Sequence, residues 1–410
     1  MGHERAMLIF VSDLHLTDDL HSGNVPKAEL FERFWTRIQA ARGKRPAHLV
    51  FVGDLFDLVR SPAWLESAIR PYHDPCDRQR DIVDGIVARI IDREQAFFTA
   101  IRKRVEEGAL DVTYLLGNHD RLLEHAPRAR RKIHAALTGR DEDIVFEREA
   151  VYPEHGVLAY HGHVGDPVNV DPDGGATIGD AIGLELITRF PRMVKRLVES
   201  EHLHRLDDID DVRPIYAVPA WVRNLGVVDR ALLGPVSKTW SSLVEDFLSK
   251  PFVKNWMKER RETERKRFGF DTGKKLKMLL ELSTKRIVAR GSDERLTKAY
   301  KMMQHGFDGK MAAHAADELG ARNGLRFVVN GHSHFASMVP LGQLEGKPAT
   351  YFNTGTWRTV HQIGNTLPGR PTFLPYDAMS YLVFFPDGDA MGRDYEWWTG
   401  AMVGRGASAE

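Results

Sequence analysis

Short apolar runs separated by longer amphipathic stretches set the rhythm of the first part of the chain. Met7–Ser12 (MLIFVS), Leu49–Val52 (LVFV), Val112–Leu116 (VTYLL) and Val157–Tyr160 (VLAY) have the length and content of buried strands. Between them, Leu30–Ala41 places Phe31, Phe34, Trp35 and Ile38 at helical spacing. Asp84–Val105 carries Ile86, Ile90, Ile91, Phe97, Phe98 and Ile101, which predicts one long helix. Strands alternating with helices predict an α/β core. From about residue 180 to 320 the pattern becomes mainly helical, with Leu243–Met257 and Lys274–Arg290 as the strongest amphipathic segments, interrupted by Pro214, Pro219, Pro235 and Pro251. Strands return at Leu325–Val329 (LRFVV), Thr350–Phe352 and Tyr381–Phe385, with a Pro-rich loop predicted at Pro368–Pro375 and a frayed end at Gly404–Glu410.

Polar residues able to do chemistry follow the strands at once. Asp13 and His15 come after the first, Asp54 after the second, Asn118 and His119 after the third, His161 after the fourth, and His332 and His334 after Leu325–Val329. The carboxyl ends of strands form the ligand crevice of open α/β sheets, so five such ends point to one shared site. Carboxylate, imidazole and amide oxygen suit a pair of ions such as manganese, iron, zinc, cobalt or nickel. Residues two apart in extended chain face the same way, so Asp13 with His15, and His332 with His334, can reach one ion each. Asp54 has two oxygens with which to bridge, Asn118 offers an amide oxygen, and His161 can complete a shell. Two ions about 3.5–4 Å apart clamp a phosphate. The His161-Gly-His163 string leaves either histidine open as the ligand.

Composition narrows the setting. The 410 residues suffice for two average domains or one large domain with an insertion, and 42% apolar with 28% charged residues is ordinary for a globular protein. With 57 basic and 57 acidic residues, net charge gives no reason to expect a polyanionic partner. Residues 250–310, however, hold 18 Lys/Arg against 8 Asp/Glu, a local +10 that suits either a binding face or a solvated helical surface. The one cysteine, Cys76, excludes an internal disulfide and a thiolate metal cluster. No signal-peptide pattern or membrane span is read from the chain, so a cytoplasmic protein is expected.

Taken together, Asp13-Leu-His15, Gly53-Asp54, Gly117-Asn-His-Asp120, His161-Gly162 and Gly331-His-Ser-His334 closely resemble, in order, the motif blocks of the calcineurin-like metallophosphoesterase superfamily. The resemblance covers about residues 7–165 and 325–390. It implies an α/β/β/α sandwich of two facing mixed sheets with a helical insertion, the core comprising 1–165 and 325–400 and the insertion 166–324. It implies two divalent metals, manganese first among them. Asp13, His15, Asp54 and His334 would hold one, Asp54, Asn118, His161 and His332 the other, with a hydroxide between the metals as nucleophile. His119 would act at the leaving-group oxygen, oriented by Asp57. Asn353-Thr-Gly-Thr-Trp357 resembles a stretch that supports such sites.

The expected function is hydrolysis of phosphate esters, as a phosphodiesterase or phosphatase. An alternative is a pyrophosphatase on a lipid-linked nucleotide. The bacterial UDP-diacylglucosamine pyrophosphatases resemble the chain in Gly53-Asp54-Leu-Phe56 and in an apolar helical insertion, but typically carry Arg where His119 stands. An inactive scaffold of the same fold is the alternative of another class. Expected partners are a phosphorylated small molecule or a lipid-linked substrate. The basic insertion brings in a membrane surface or nucleic acid, and dimerisation is a third use for it. Arg121, Arg358 and His361 are candidate phosphate contacts, and Leu58–Asp77 is either a lid or cover for a sheet edge.

Overall fold

A computed structural model describes residues 6–19, 27–170, 175–213, 217–267, 272–288, 309–364, 372–386, 389 and 391–402. In chain order the strands are β1 (Met7–Val11), β2 (Ala47–Val52), β3 (Leu110–Leu115), β4 (Glu149–Tyr152), β5 (Val157–Tyr160), β6 (Val212–Arg213), β7 (Phe327–Asn330), β8 (Ser337–Leu344), β9 (Lys347–Asn353), β10 (Thr359–Gly364), β11 (Thr372–Phe384) and β12 (Tyr395–Met402). The α-helices are α1 (Lys27–Arg42), α2 (Asp77–Arg93), α3 (Gln95–Glu106), α4 (Pro127–Thr138), α5 (Ile178–Ile182), α6 (Arg189–Lys195), α7 (Val218–Val228), α8 (Arg230–Ser249), α9 (Pro251–Arg267), α10 (Thr272–Val288) and α11 (309–320).

Two mixed sheets result. One runs β3-β2-β1-β11-β10-β6 with β12 also on β11, the other β4-β5-β7-β9-β8. Alternation along the strands explains why they stack. Leu8 and Phe10 of β1 point one way and join Val50, Val52, Val157, Val329, Phe352 and Phe384 in a core between the sheets. Met7, Ile9 and Val11 point the other way and pack under α1 to α4. On the outer face of the second sheet, Met311, Ala315 and Leu319 of α11 cover Leu158, Val328 and Tyr351. This is the α/β/β/α sandwich that the motifs imply.

Several expected elements differ. The single helix over Asp84–Val105 is two, broken at Glu94 (φ −97°, ψ 25°), and α2 and α3 each pack separately on α4. Leu243–Met257 is also two helices, because Pro251 holds Lys250 extended (φ −61°, ψ 137°) and so ends α8. Within Pro368–Pro375, residues 372–375 open β11 and the rest lie outside the described residues, as do Gly404–Glu410 and Arg290. The stretch 166–324 is not all appended helix, since β6 joins the first sheet and α11 is an outer layer of the second. Many of the basic side chains between 262 and 310 lie outside the described residues. Among the described residues, no helix is long and apolar enough to cross a membrane.

The helical segment is fastened to the core close to the strand ends. Glu185, in a π-helical turn over Gly183–Thr188, accepts from Tyr72 Oη (2.7 Å) and Arg70 Nε (3.1 Å). Arg121 bonds Asp180 (2.8 Å), whose carboxylate also caps α5 through Thr177. Leu58–Asp77 is thus no free lid: Trp64 is fully buried and its Nε1 donates to Leu58 O (2.7 Å).

Candidate metal centre

Five chain turns converge at the carboxyl ends of β1, β2, β3, β5 and β7, and they are stitched to one another. Asp13 N donates to Gly53 O (3.3 Å), His15 N to Asp54 O (2.9 Å), Leu58 N to His119 O (3.2 Å) and Gly331 N to His161 O (2.9 Å). Asn353-Thr-Gly-Thr-Trp357 clamps them from behind: Thr356 Oγ1 donates to Asp13 O (2.6 Å) and Asn353 Nδ2 to Gly331 O (2.5 Å).

The backbone is held in an unfavourable conformation to do this. Six described non-glycine residues have positive φ, and five of them are Asp13, His15, Asp54, His332 and His334, at φ between 46° and 70°. Left-handed backbone costs a residue with a Cβ, and such outliers gather at functional sites. Side chains and turns also approach closely. A Cβ on Gly117 would collide with the Asp54 carboxylate, and one on Gly331 with the carboxylate of Asp13.

The expected donors come together in two groups with Asp54 between them, and Asp54 also forms a third with His15 and His119. Asp13, His15 and His334 form one: His334 Nε2 lies 3.4 Å from Asp13 Oδ1, and His15 Nε2 lies 3.1 Å from His334 Nε2. Asp54, His161 and His332 form the other, with Asn118 Oδ1 3.1 Å from His161 Nε2. Asp54 Oδ2 stands 3.6 Å from His15 Nε2 and 3.1 Å from His161 Nε2, between the two groups. His163 belongs to neither. Its Nδ1 is buried without a hydrogen-bond partner, and burial with His161 and His332 nearby pushes its pKa down to about 3.

This donor set fits divalent cations. His161 Nδ1 faces the Val52 carbonyl (2.8 Å), which places that ring's proton there and turns the Nε2 lone pair toward two oxygens. Three acceptors thus converge with no donor among them, a demand met by a cation or an extra proton. In the protein alone, burial opposes a charge on His161, but Asp54 outweighs it and raises the pKa to about 10. Asp13 Oδ1 is likewise buried with no hydrogen-bond partner. Burial also opposes the Asp54 charge, but His161, His119 and His15 hold its pKa well below the ordinary carboxylate value.

His119 stands beside this set. Its Nδ1 lies 2.9 Å from Asp57 Oδ1, and its backbone N donates to Asp54 Oδ1 (2.9 Å). Burial opposes the charged imidazole, yet Asp57 and Asp54 outweigh it and raise its pKa. Arg121, Arg358 and His361 are engaged elsewhere, with Asp180, with Asp210 and Asp211, and 3.6 Å from Asp208 respectively.

Three contributors escape a reading of the sequence. Asp120 is fully buried and accepts from Leu55 N (3.1 Å), Gly117 N (2.5 Å) and Tyr114 Oη (2.5 Å), joining the second turn to the third. Its place in the Gly117–Asp120 block was the only available signal. Asp166 Oδ2 faces His332 Nε2 (3.1 Å), and Arg213 NH2 faces His334 Nδ1 (2.7 Å). Neither pairing has a local sequence signature.

Comparison with known proteins adds one finding. The family model described as calcineurin-like phosphoesterase matches residues 7–224, over half of the chain and four of the five motif blocks. No curated protein matches the chain.

Proposed function

Because the chain belongs to the calcineurin-like phosphoesterase family, we propose that it is a metal-dependent hydrolase of phosphate esters whose centre is built from Asp13, His15, Asp54, Asn118, His161, His332 and His334. The observation that carries this reading is the convergence of carboxylate, amide and imidazole side chains from both sheets around Asp54 Oδ2. Asp13, His15, Asp54 and His334 would hold one cation, and Asp54, Asn118, His161 and His332 the other. Manganese suits this mixture of carboxylate, amide and imidazole, as do iron, zinc, cobalt and nickel. When bound, such cations supply Lewis acidity toward phosphoryl oxygens and an activated water at neutral pH.

The chain's own residues do the rest. Asp57 fixes the Nδ1 proton of His119 and leaves Nε2 to serve the leaving-group oxygen. The His119 charge, favoured by Asp57 and Asp54, balances negative charge developing on that oxygen. The substrate is a phosphorylated small molecule, with a lipid-linked nucleotide diphosphate as the second candidate.

The test compares a chromogenic phosphomonoester with a phosphodiester, using metal-stripped protein with and without added manganese. Manganese-dependent turnover is expected, and the preferred ester sets phosphatase against phosphodiesterase. His119→Ala should lose about 10²–10⁴-fold in turnover with metal retained, whereas Asp54→Ala should lose both. Full activity in metal-free Asp54→Ala would end the proposal. Cleavage of neither ester, with a nucleoside diphosphate ester cleaved instead, selects the pyrophosphatase; no bound metal and no turnover selects the scaffold.

A further inference from the structure

The ring nitrogens that face away from the centre have unlike partners. A metal-ligating histidine ordinarily donates its remote N–H to a carboxylate or carbonyl, which fixes the tautomer and strengthens the ligand. Three of the four histidines follow that rule. His161 Nδ1 faces Val52 O at 2.8 Å, His15 Nδ1 faces Asp57 Oδ2 at 3.4 Å, and His332 Nε2 faces Asp166 Oδ2 at 3.1 Å. Asp166 is itself anchored: its carboxylate accepts from Val168 N (2.9 Å) and Asn169 Nδ2 (2.7 Å).

His334 departs from it. Its Nδ1 faces Arg213 NH2 at 2.7 Å. A guanidinium has only donors, so this Nδ1 must accept. The proton of the neutral ring then sits on Nε2, which faces His15 Nε2 at 3.1 Å and Asp13 Oδ1 at 3.4 Å. The arrangement is a consistent chain from Arg213 through His334 and His15 to Asp57. Coordination through His334 Nε2 needs the lone pair of that atom. The ring's proton must then occupy Nδ1, donor to donor with Arg213. The guanidinium does not swing away without cost, because its NH1 is held by Asp210 O (2.6 Å) and Val212 O (3.0 Å), and the residue is 9% exposed.

We propose that the two metal positions are unequal by construction: Asp166 strengthens the position shared by Asp54, Asn118, His161 and His332, while Arg213 opposes His334 and weakens the position of Asp13 and His15. The inference rests on the two-metal reading above. Asp166 and Arg213 are positioning residues that act through His332 and His334. Arg213 lies in β6, within the segment between the motif blocks, so that segment tunes the loosely held metal.

The experiment is an equilibrium titration of the metal-stripped full chain with manganese. Electron paramagnetic resonance counts free ion and separates isolated from paired bound ions. The wild type should bind two ions in steps at least tenfold apart, the coupled-pair signal growing only in the second. Asp166→Asn should weaken the tight step by about 10–100-fold. Arg213→Gln, whose amide oxygen can accept from His334 Nδ1, should tighten the weak step about tenfold and leave the tight one in place. Arg213→Lys keeps a donor and a charge and should behave as wild type; thermal melts of the metal-free variants verify folding. An Arg213→Gln weak step that is unchanged or weaker overturns the proposal, as does an Asp166→Asn effect confined to the weak step. Fewer than two ions in the saturated wild type overturns the two-metal reading itself, and the inequality with it.

Discussion

Single residues carry the chemistry, and their partners decide whether it is held in place. Asp120 is not among the candidate ligands, yet its carboxylate receives Leu55 N, Gly117 N and Tyr114 Oη in a fully buried position. Burial, with Asp54 nearby, pushes its pKa up to about 7. Each buried donor left without an acceptor costs about 1–3 kcal/mol. Asp120→Ala should therefore lose about 3 kcal/mol or more in urea unfolding and release metal more readily; an unchanged midpoint would show that the turns hold without it. Sequence made the candidate ligand residues legible because each follows an apolar run within a few positions. Asp166 and Arg213 were not legible, because what matters about them is a distance to a histidine more than 100 positions away. The choice between His161 and His163 was also beyond spacing alone; what separates them is that only His161 reaches Asp54 and Asn118.

At the scale of elements, strands buried on both faces were legible and edges were not. β1 and β5 are continuous apolar runs, β2 and β7 are so but for His48 and Asn330, and all four are buried throughout or nearly so. β8 (SMVPLGQL) is an edge strand carrying Pro340 beside a bulge, the position that tolerates proline in a sheet, so its sequence reads as a loop. The helix breaks at Glu94 and Lys250 interrupt patterns whose apolar spacing continues across them. The π-helical turn over Gly183–Thr188 has no sequence signature either, but it brings Glu185 inward against Arg70, Tyr72, Arg189 and Lys250. Burial pushes the Glu185 carboxyl up, but Tyr72, Lys250 and Arg189 outweigh it, and the folded pKa lies below 4.5. A depressed carboxyl pKa stabilises above the unfolded value and loses that contribution as pH falls through the folded one. Glu185→Gln should therefore reduce stability at pH 7 and flatten the acid limb of the unfolding curve. Equal slopes below pH 4.5 for both proteins would show that this carboxylate has no part in it.

For the molecule as a whole, the centre is also a seam. Asp13, His15, Asp54 and Asn118 follow strands of the first sheet, and His161, His332 and His334 follow strands of the second. Between the sheets lies an apolar core that already holds the layers together, with Phe10, Phe352 and Phe384 within it. At the strand ends that core gives way to carboxylates and imidazoles, where Asp54 Oδ2 and Asn118 Oδ1 both face His161 Nε2 at 3.1 Å and Asp13 Oδ1 remains unsatisfied. Cations there would satisfy these atoms and tie one sheet to the other. A ligand that binds only the folded state stabilises by RT ln(1 + [L]/Kd), about 4 kcal/mol at a thousandfold excess over Kd. Calorimetry of the metal-stripped protein should therefore give a lower melting temperature that manganese restores in a concentration-dependent way. The helical segment is fastened near the same strand ends through Glu185, Asp180 and β6, so it should unfold in the same transition as the sandwich. If instead a second transition appears whose temperature does not respond to manganese, the helical segment folds independently of the centre, and the contacts made by Arg213 could not transmit anything between them.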